Sequence, residues 1–368
     1  MVHMISSNSG LWIAALVATG SCVENDGPSG SSGPLGDAET STTTPDPPRP
    51  TPPRPGTDSS SGPDSNSAPG AQTCVDLPQH ITADGLVAHL EALEAIATAH
   101  GNRRSVGTVG YDLSLDYVRE QLEASGYAVV VHAFDVEVAG AVQHTASLLA
   151  ETPGGNPDQV IVLGAHLDSV PTGPGINDNG SSVAALLEVA RVIEACETNR
   201  KVRFAWWGAE EVRLAGSTAY VASLDDAQRS AIVTYMNFDM IGSPNYVRFI
   251  YDGDGSASGE PGPVGSAELE QVFAEYFDGV GLATEEIAFG RRSDYVAFVD
   301  AGIGAGGLFS GANAPKSAAQ AQAYGGQPGV DYDPCYHAAC DGIDNVDLEV
   351  LESMARAIAY AVEALALQ

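Results

Sequence analysis

VIVLGAHLD, residues 160–168, decides how this chain is read. An apolar, β-branched run followed by polar residues describes a strand buried on both faces, whose carboxyl end delivers His166 and Asp168 into a loop. In open α/β sheets that edge is where ligands bind. Asp178, in INDNG, stands just before Val183, Leu186, Leu187, Ala190 and Ile193, apolar positions spaced as on a helix, so it falls near a helix start. A second apolar run, 202–207, ends in Gly208, Ala209, Glu210 and Glu211, bringing two more carboxylates to the same edge. Asp239 closes a third strand-like run, 232–238, and His337 lies in the turn-rich CYHAAC, residues 335–340.

Each of these residues taken singly has a plain explanation. An imidazole after a strand is usually a satisfied polar group, and an Asp before a helix is most often its N-cap. Their convergence changes the odds. Among His166, Asp168, Asp178, Glu210, Glu211, Asp239 and His337, two imidazoles and three carboxylates, with no thiolate in play, suit a pair of zinc ions. Neighbouring strand residues point opposite ways, so Glu210 and Glu211 can both serve only if the chain has turned after Gly208.

The segments VLGAHLDSV, GINDNGSS, RFAWWGAEE, NFDMIGSPN, GRRSD, KSAAQAQAYGG and CYHAAC resemble the secreted two-zinc leucyl aminopeptidases of bacteria, Streptomyces-type members of the zinc exopeptidase superfamily. The resemblance runs from about residue 80 to residue 360. It implies that His166 and Asp239 bind one zinc, that Glu211 and His337 bind the other, and that Asp178 bridges them. Glu210 matches the general base, Asp168 the carboxylate that orients the imidazole of His166, and Tyr336 the residue that hydrogen-bonds the substrate carbonyl. Arg292 matches a substrate-pocket residue, against the plainer reading of a surface Arg paired with Asp294. Tyr295 stands where related members often carry His. A Cys335–Cys340 bridge, pinning the loop that holds Tyr336 and His337, has the support of the resemblance. The implied activity is removal of amino-terminal residues, large apolar ones first, from peptides or proteins with a free amino terminus. Two other readings stand beside it: a one-zinc glutaminyl cyclase and a ligand-free binding module of the same fold. Some secreted relatives bind calcium near the carboxyl-terminal helix, but the chain is shortened between Asn345 and Ala357, so that site is not carried over and calcium dependence is left open.

The rest of the chain is scaffold and approach. Residues 1–22 read as an export signal, the apolar run 11–18 being too short for a bilayer, with Cys22 either a lipid anchor or part of a plain cleaved signal. Residues 23–73, rich in Pro, Ser and Gly, read as a disordered tether, and 74–368 as the catalytic domain. Thr82 or Asp84 should cap a helix carrying Leu86, Leu90, Leu93 and Ala97 and stopping at Gly101; a second helix should run from about Leu113 to Ala124. Residues 127–136 and 142–150 alternate like a strand pair turning at Ala139 and Gly140, an outer sheet edge on which His132 and His144 should be solvated. Helices are expected near 267–277 and 348–365, and a long ordered loop at 310–329. Strands alternating with helices imply an α/β three-layer sandwich: a central mixed, mostly parallel sheet covered by helices on both faces. A net charge of −32, with 16 basic residues against 48 acidic ones, excludes a nucleic-acid partner. Five Cys suit an oxidising compartment outside the cytoplasm; Cys74 and Cys196 are left as a pair that sequence cannot join, and a zinc–thiolate site lacks a second Cys pair. The expected molecule is a monomer acting on peptide amino termini.

Overall fold

A computed structural model describes residues 74–367, so the expectations for 1–22 and 23–73, lipid anchoring at Cys22 included, lie outside the described residues. After a 3-10 turn at Leu77–His80 come α1 (Ala83–Ala99) and α2 (Val109–Ala124). Thr82 caps α1 by accepting from the Gly85 amide. α2 begins at Val109 rather than near Leu113, because Thr108 accepts from the Tyr111 amide and starts the helix before its apolar stripe does. Next in the chain are β1 (Val129–Val138), β2 (Ala141–Glu151), β3 (Asn156–His166), α3 (Ser181–Ile193), β4 (Arg200–Trp207), α4 (Ala215–Ser223), α5 (Asp226–Ala231) and β5 (Ile232–Phe238). The last third holds β6 (Phe249–Tyr251), α6 (Ser266–Val280), β7 (Glu285–Ile287), α7 (Tyr295–Asp300), β8 (Ala305–Phe309), α8 (Ala318–Tyr324) and α9 (Leu348–Ala366).

Among the described residues the strands form one eight-stranded sheet in the order β1-β2-β4-β3-β5-β8-β6-β7. β3 lies parallel between β4 and β5, and β8 continues the parallel set beyond β5. β1 and β2 turn antiparallel about Ala139 and Gly140 and close one side of the sheet, as the alternation predicts. The period-two rule then sorts β3 into two cores. Ile161, Leu163 and Ala165 pack with Leu186, Phe273 and Ile358, from α3, α6 and α9. Val160 and Val162 pack on the other face with Tyr220 of α4 and Phe298 of α7. Helices therefore cover both faces, and the molecule is the three-layer α/β sandwich. Gly164 is required where it stands, since a Cβ would run into Trp207 and Tyr235, whose indole N–H donates to the phenol at 2.9 Å.

Several details differ from the expectation or complete it. Cys74 and Cys196 are bridged, with Cα atoms 5.6 Å apart, tying the chain ahead of α1 to the end of α3. Residues 310–329 are not all loop: Ser317 and Gln320 form a capping box that starts the short helix α8. His144 is exposed and sits on Asp135. His132, expected in solvent, is half-buried with its ring edge against Tyr220. No helix among the described residues is long and apolar enough to cross a membrane.

Candidate metal centre

β3, β4 and β5 are parallel and end together, so the residues leaving their carboxyl ends emerge at one edge of the sheet. His166 is the last residue of β3, Asp239 comes directly after β5, and Glu210 and Glu211 come after β4. The chain does turn between Trp207 and the glutamates: Ala209 takes a left-handed φ of 57°, and the two acids lie in a bend beyond the end of β4. Asp178 arrives from the irregular turn Ile176–Gly180 ahead of α3. His337 arrives from the loop stapled by the Cys335–Cys340 bridge, itself at φ 57° and held by Thr172, whose hydroxyl donates to its carbonyl at 2.8 Å.

These side chains meet as two linked triplets. His166 Nε2 lies 3.1 Å from Asp178 Oδ1 and 3.4 Å from Asp239 Oδ1. His337 Nε2 lies 3.2 Å from Asp178 Oδ2 and 3.2 Å from Glu211 Oε1. Asp178 thus offers one oxygen to each triplet. His166 is 1 % exposed and Asp178 5 %, yet His166 Nε2 and Glu211 Oε1 are buried with no partner in hydrogen-bond geometry. Orphaned buried donors and acceptors are costly, and here His166 Nε2 lies 3.1 and 3.4 Å from the carboxylates of Asp178 and Asp239 while Glu211 Oε1 lies 3.2 Å from His337 Nε2. Two nitrogens and three carboxylates with no sulfur fit zinc-type cations.

The cluster's proton chemistry points the same way. Burial works against charge on His337, but Asp178 and Glu211 outweigh it and lift the imidazole to about 10. His166 is raised for the same reason, burial being overcome by Glu210, Asp239 and Asp178. Burial, with Asp178 beside it, pushes Glu211 up to about 7. Without a cation these residues hold protons among themselves, which a metal would displace.

Asp168 is placed differently from the expectation. His166 Nδ1 is 3.0 Å from the backbone carbonyl of Asp168 and 3.8 Å from its carboxylate, so the carbonyl is the nearer partner and leaves Nε2 bare toward the cluster. The carboxylate instead accepts the amides of Glu210, at 3.0 Å, and Glu211, at 3.3 Å. It positions the turn that presents both acids. Glu210 is 8 % exposed and its carboxyl is raised well above the ordinary range, first by burial and then by Asp239, Asp294 and Glu211.

Tyr336 stacks on His337 with ring centroids 3.8 Å apart, and its hydroxyl accepts from Arg292 Nη2 at 3.1 Å. Arg292 also donates to Asn313, so its partner is not Asp294, which is buried and 1 % exposed. Tyr295 lines the cleft, its ring packed against Tyr251 and Phe289. The cavity of about 540 Å³ over the cluster is walled on its apolar side by Leu214, Met240, Tyr251, Ile287, Tyr295 and Phe309.

Sequence reasoning missed two of the supports, Arg104 and Asp341. Arg104, wholly buried, donates from Nε to the Pro174 carbonyl at 2.9 Å, from Nη2 to Gly175 at 2.6 Å and from Nη1 to Leu167, clamping the loops that carry His166 and Asp178. Burial lowers it to about 10, which leaves it charged at neutral pH. Asp341 accepts the amides of Asn177 at 2.9 Å and Asp178 at 3.0 Å. Its place directly after Cys340 was the one available hint. Asp294 keeps an unpartnered buried oxygen and is pushed to about 7 by burial. A further acid group, Asp252, Glu270 and Glu286, lies apart; Asp252 and Glu270 already accept the amides of Gly253, Asp254, Gly255 and Ser258.

The chain is 42 % identical over 303 residues to leupeptin-inactivating enzyme 1 of Streptomyces exfoliatus, covering 82 % of this chain and 66 % of that one. It is 50 % identical over 232 residues to an aminopeptidase of Pseudomonas aeruginosa (strain UCBPP-PA14), covering 63 % of this chain and 43 % of the relative. The chain therefore spans less than two thirds of the length of either. Among solved structures, an aminopeptidase from Aneurinibacillus sp. strain AM-1 superposes with a TM-score of 0.64 at 18 % identity, over 79 % of this chain and 96 % of that one. A glutaminyl cyclase of Bacteroides thetaiotaomicron bound to N-acetylhistamine superposes with a TM-score of 0.61 at 16 % identity, over 77 % and 98 %. Both likenesses speak to the fold alone. Residues 147–362, which carry both triplets, match Peptidase family M28, and the chain belongs to that family.

Proposed function

We propose that the protein is a zinc-dependent aminopeptidase that removes amino-terminal residues from peptides or proteins with a free amino terminus. The observation that carries this reading is Asp178, whose two carboxylate oxygens face two separate imidazole-and-acid pairs, His166 with Asp239 and His337 with Glu211. That arrangement supports a two-zinc site: His166 and Asp239 on one ion, Glu211 and His337 on the other, Asp178 shared. When bound, the ions supply a water acidified to a pKa near 7 and a Lewis-acid partner for the scissile carbonyl.

The remaining steps belong to side chains. Glu210 is held beside the cluster without being a member of either triplet, and a raised carboxyl of this kind is suited to take a proton from water and return it to the leaving amine. Tyr336 donates to the carbonyl oxygen as charge builds there. Asp239 and Glu210 accept from the substrate ammonium, and a blocked amine cannot repay their desolvation. Leu214, Met240, Ile287 and Phe309 favour a large apolar first side chain. The Cys74–Cys196 and Cys335–Cys340 bridges favour an oxidising, extracytoplasmic setting.

Glu210→Gln should keep its zinc, by metal analysis, while turnover of leucyl anilide falls by roughly 10² to 10⁴-fold, the usual contribution of a general base. Wild-type turnover in that variant would remove Glu210 from the mechanism. Hydrolysis of acetyl-leucyl anilide as fast as the free amine would remove the exopeptidase assignment.

A further inference from the structure

This chain has 16 basic residues against 48 acidic ones, yet Arg213, Arg291 and Arg292 all line the cavity above the metal triplets. Arg291 is occupied by Asp300 in a two-pronged pair at 2.8 and 2.7 Å. Among the described residues the guanidinium of Arg292 meets only the neutral oxygens of Asn313 and Tyr336. Arg213, exposed at the rim, pairs with no carboxylate among the described residues. Where acids outnumber bases so heavily, a shortage of partners does not explain two guanidinium groups left without one. The backbone that presents them is also held in an uncommon shape: Arg213 and Leu214 have φ of 63° and 58°, and Arg291 has 56°. Non-glycine residues in left-handed conformations are retained where the surroundings over-determine them, as around binding sites.

The layout of the cleft says which part of a substrate would reach them. On the aminopeptidase reading, on which this inference rests, the ammonium sits with Glu210 and Asp239 at the buried floor and the scissile carbonyl with Tyr336. The leaving-group residue then extends toward the exposed rim, inside a cavity of about 540 Å³, a size for a short peptide. We propose that Arg213 and Arg292 bind a carboxylate on the leaving-group residue, so that the enzyme favours short peptides whose second residue ends the chain or carries an acidic side chain. Guanidinium forks match carboxylates in charge and geometry. Because Arg292 Nη2 already donates to the Tyr336 hydroxyl at 3.1 Å, the same arginine touches the group assigned to the carbonyl oxygen.

The test is hydrolysis of three peptides by the zinc-loaded full chain: Leu-Ala, Leu-Ala-amide and Leu-Asp-amide. A charge-assisted hydrogen bond predicts kcat/KM about tenfold higher for Leu-Ala than for Leu-Ala-amide, expressed mainly in KM. That ratio should fall toward one in Arg213→Gln, be partly kept in Arg213→Lys and shrink as salt is added to the wild type. Leu-Asp-amide rising to the level of Leu-Ala would mean that a side-chain carboxylate also serves; Leu-Asp-amide remaining with Leu-Ala-amide would make the chain-terminal carboxylate the ligand. Equal rates on all three, or a preference indifferent to both salt and Arg213→Gln, would overturn the inference and leave the aminopeptidase reading standing. No hydrolysis of any of the three would overturn both.

Discussion

At the scale of single residues, the centre depends on side chains that never face the reaction. Asp168 holds the amides of Glu210 and Glu211, Asp341 holds those of Asn177 and Asp178, and Arg104 joins the two loops by their carbonyls. Asp168→Asn keeps the shape but can accept through only one oxygen, so one of the two amides loses its acceptor. The expected result is a 10 to 100-fold loss of zinc affinity, as for other partners that orient ligands, read by competition with a chromogenic chelator. Unchanged affinity would make Asp168 a purely structural carboxylate. The cluster residues themselves were legible in the sequence, because each of the strand-end ligands closes an apolar run with a carboxylate or an imidazole. Of their supports, Asp168 was named but Arg104 and Asp341 were not, since these two reach the site through backbone atoms, and nothing in a side chain's identity says which carbonyl or amide it will meet.

At the scale of elements, α1, α2 and α3 are locked by a polar knot. Glu188 is buried, accepts two hydrogen bonds at 2.8 Å from Arg191 and faces His89 at 3.7 Å, while His89 in turn meets the Tyr117 hydroxyl at 2.7 Å. Burial would raise the Glu188 carboxyl, but Arg191 and His89 hold it down at about 2. A depressed carboxyl stabilises the fold fully above its ordinary value of 4.5 and loses that contribution as pH falls toward 2. Glu188→Gln should therefore be less stable than wild type by about 2 kcal/mol at pH 6, after allowance for the half-exposed Arg191, and the gap should close between pH 4.5 and pH 2. Urea titrations across that range would show it, and a gap constant with pH would refute the assignment. The long helices α1, α2, α3, α6 and α9 were readable from apolar spacing, but the short α4, α5, α7 and α8 were not, and the start of α2 was set by Thr108, whose capping hydrogen bond outvotes the position of the first apolar residue.

At the scale of the whole molecule, the parallel core β4-β3-β5-β8 reflects apolar runs too continuous to leave a face in water, whereas the order of the strands depends on crossovers that no local pattern records. The same registry that builds the sheet brings the ligand candidates together. Removing zinc with a chelator should lower the melting temperature, because metal binds the folded chain and not the unfolded one. Rebinding at pH 7 should release protons from His337 and His166, so the calorimetric enthalpy should vary with the ionisation heat of the buffer. An enthalpy independent of buffer would mean that the imidazoles are already neutral. Asp178 has a wider consequence through its two oxygens, which face residues 166 and 239 on one side and 211 and 337 on the other. No fragment that omits any one of residues 166, 178, 211, 239 and 337 could reproduce that junction, so the metal content of a purified sample measures the fraction of molecules whose distant segments have all found one another.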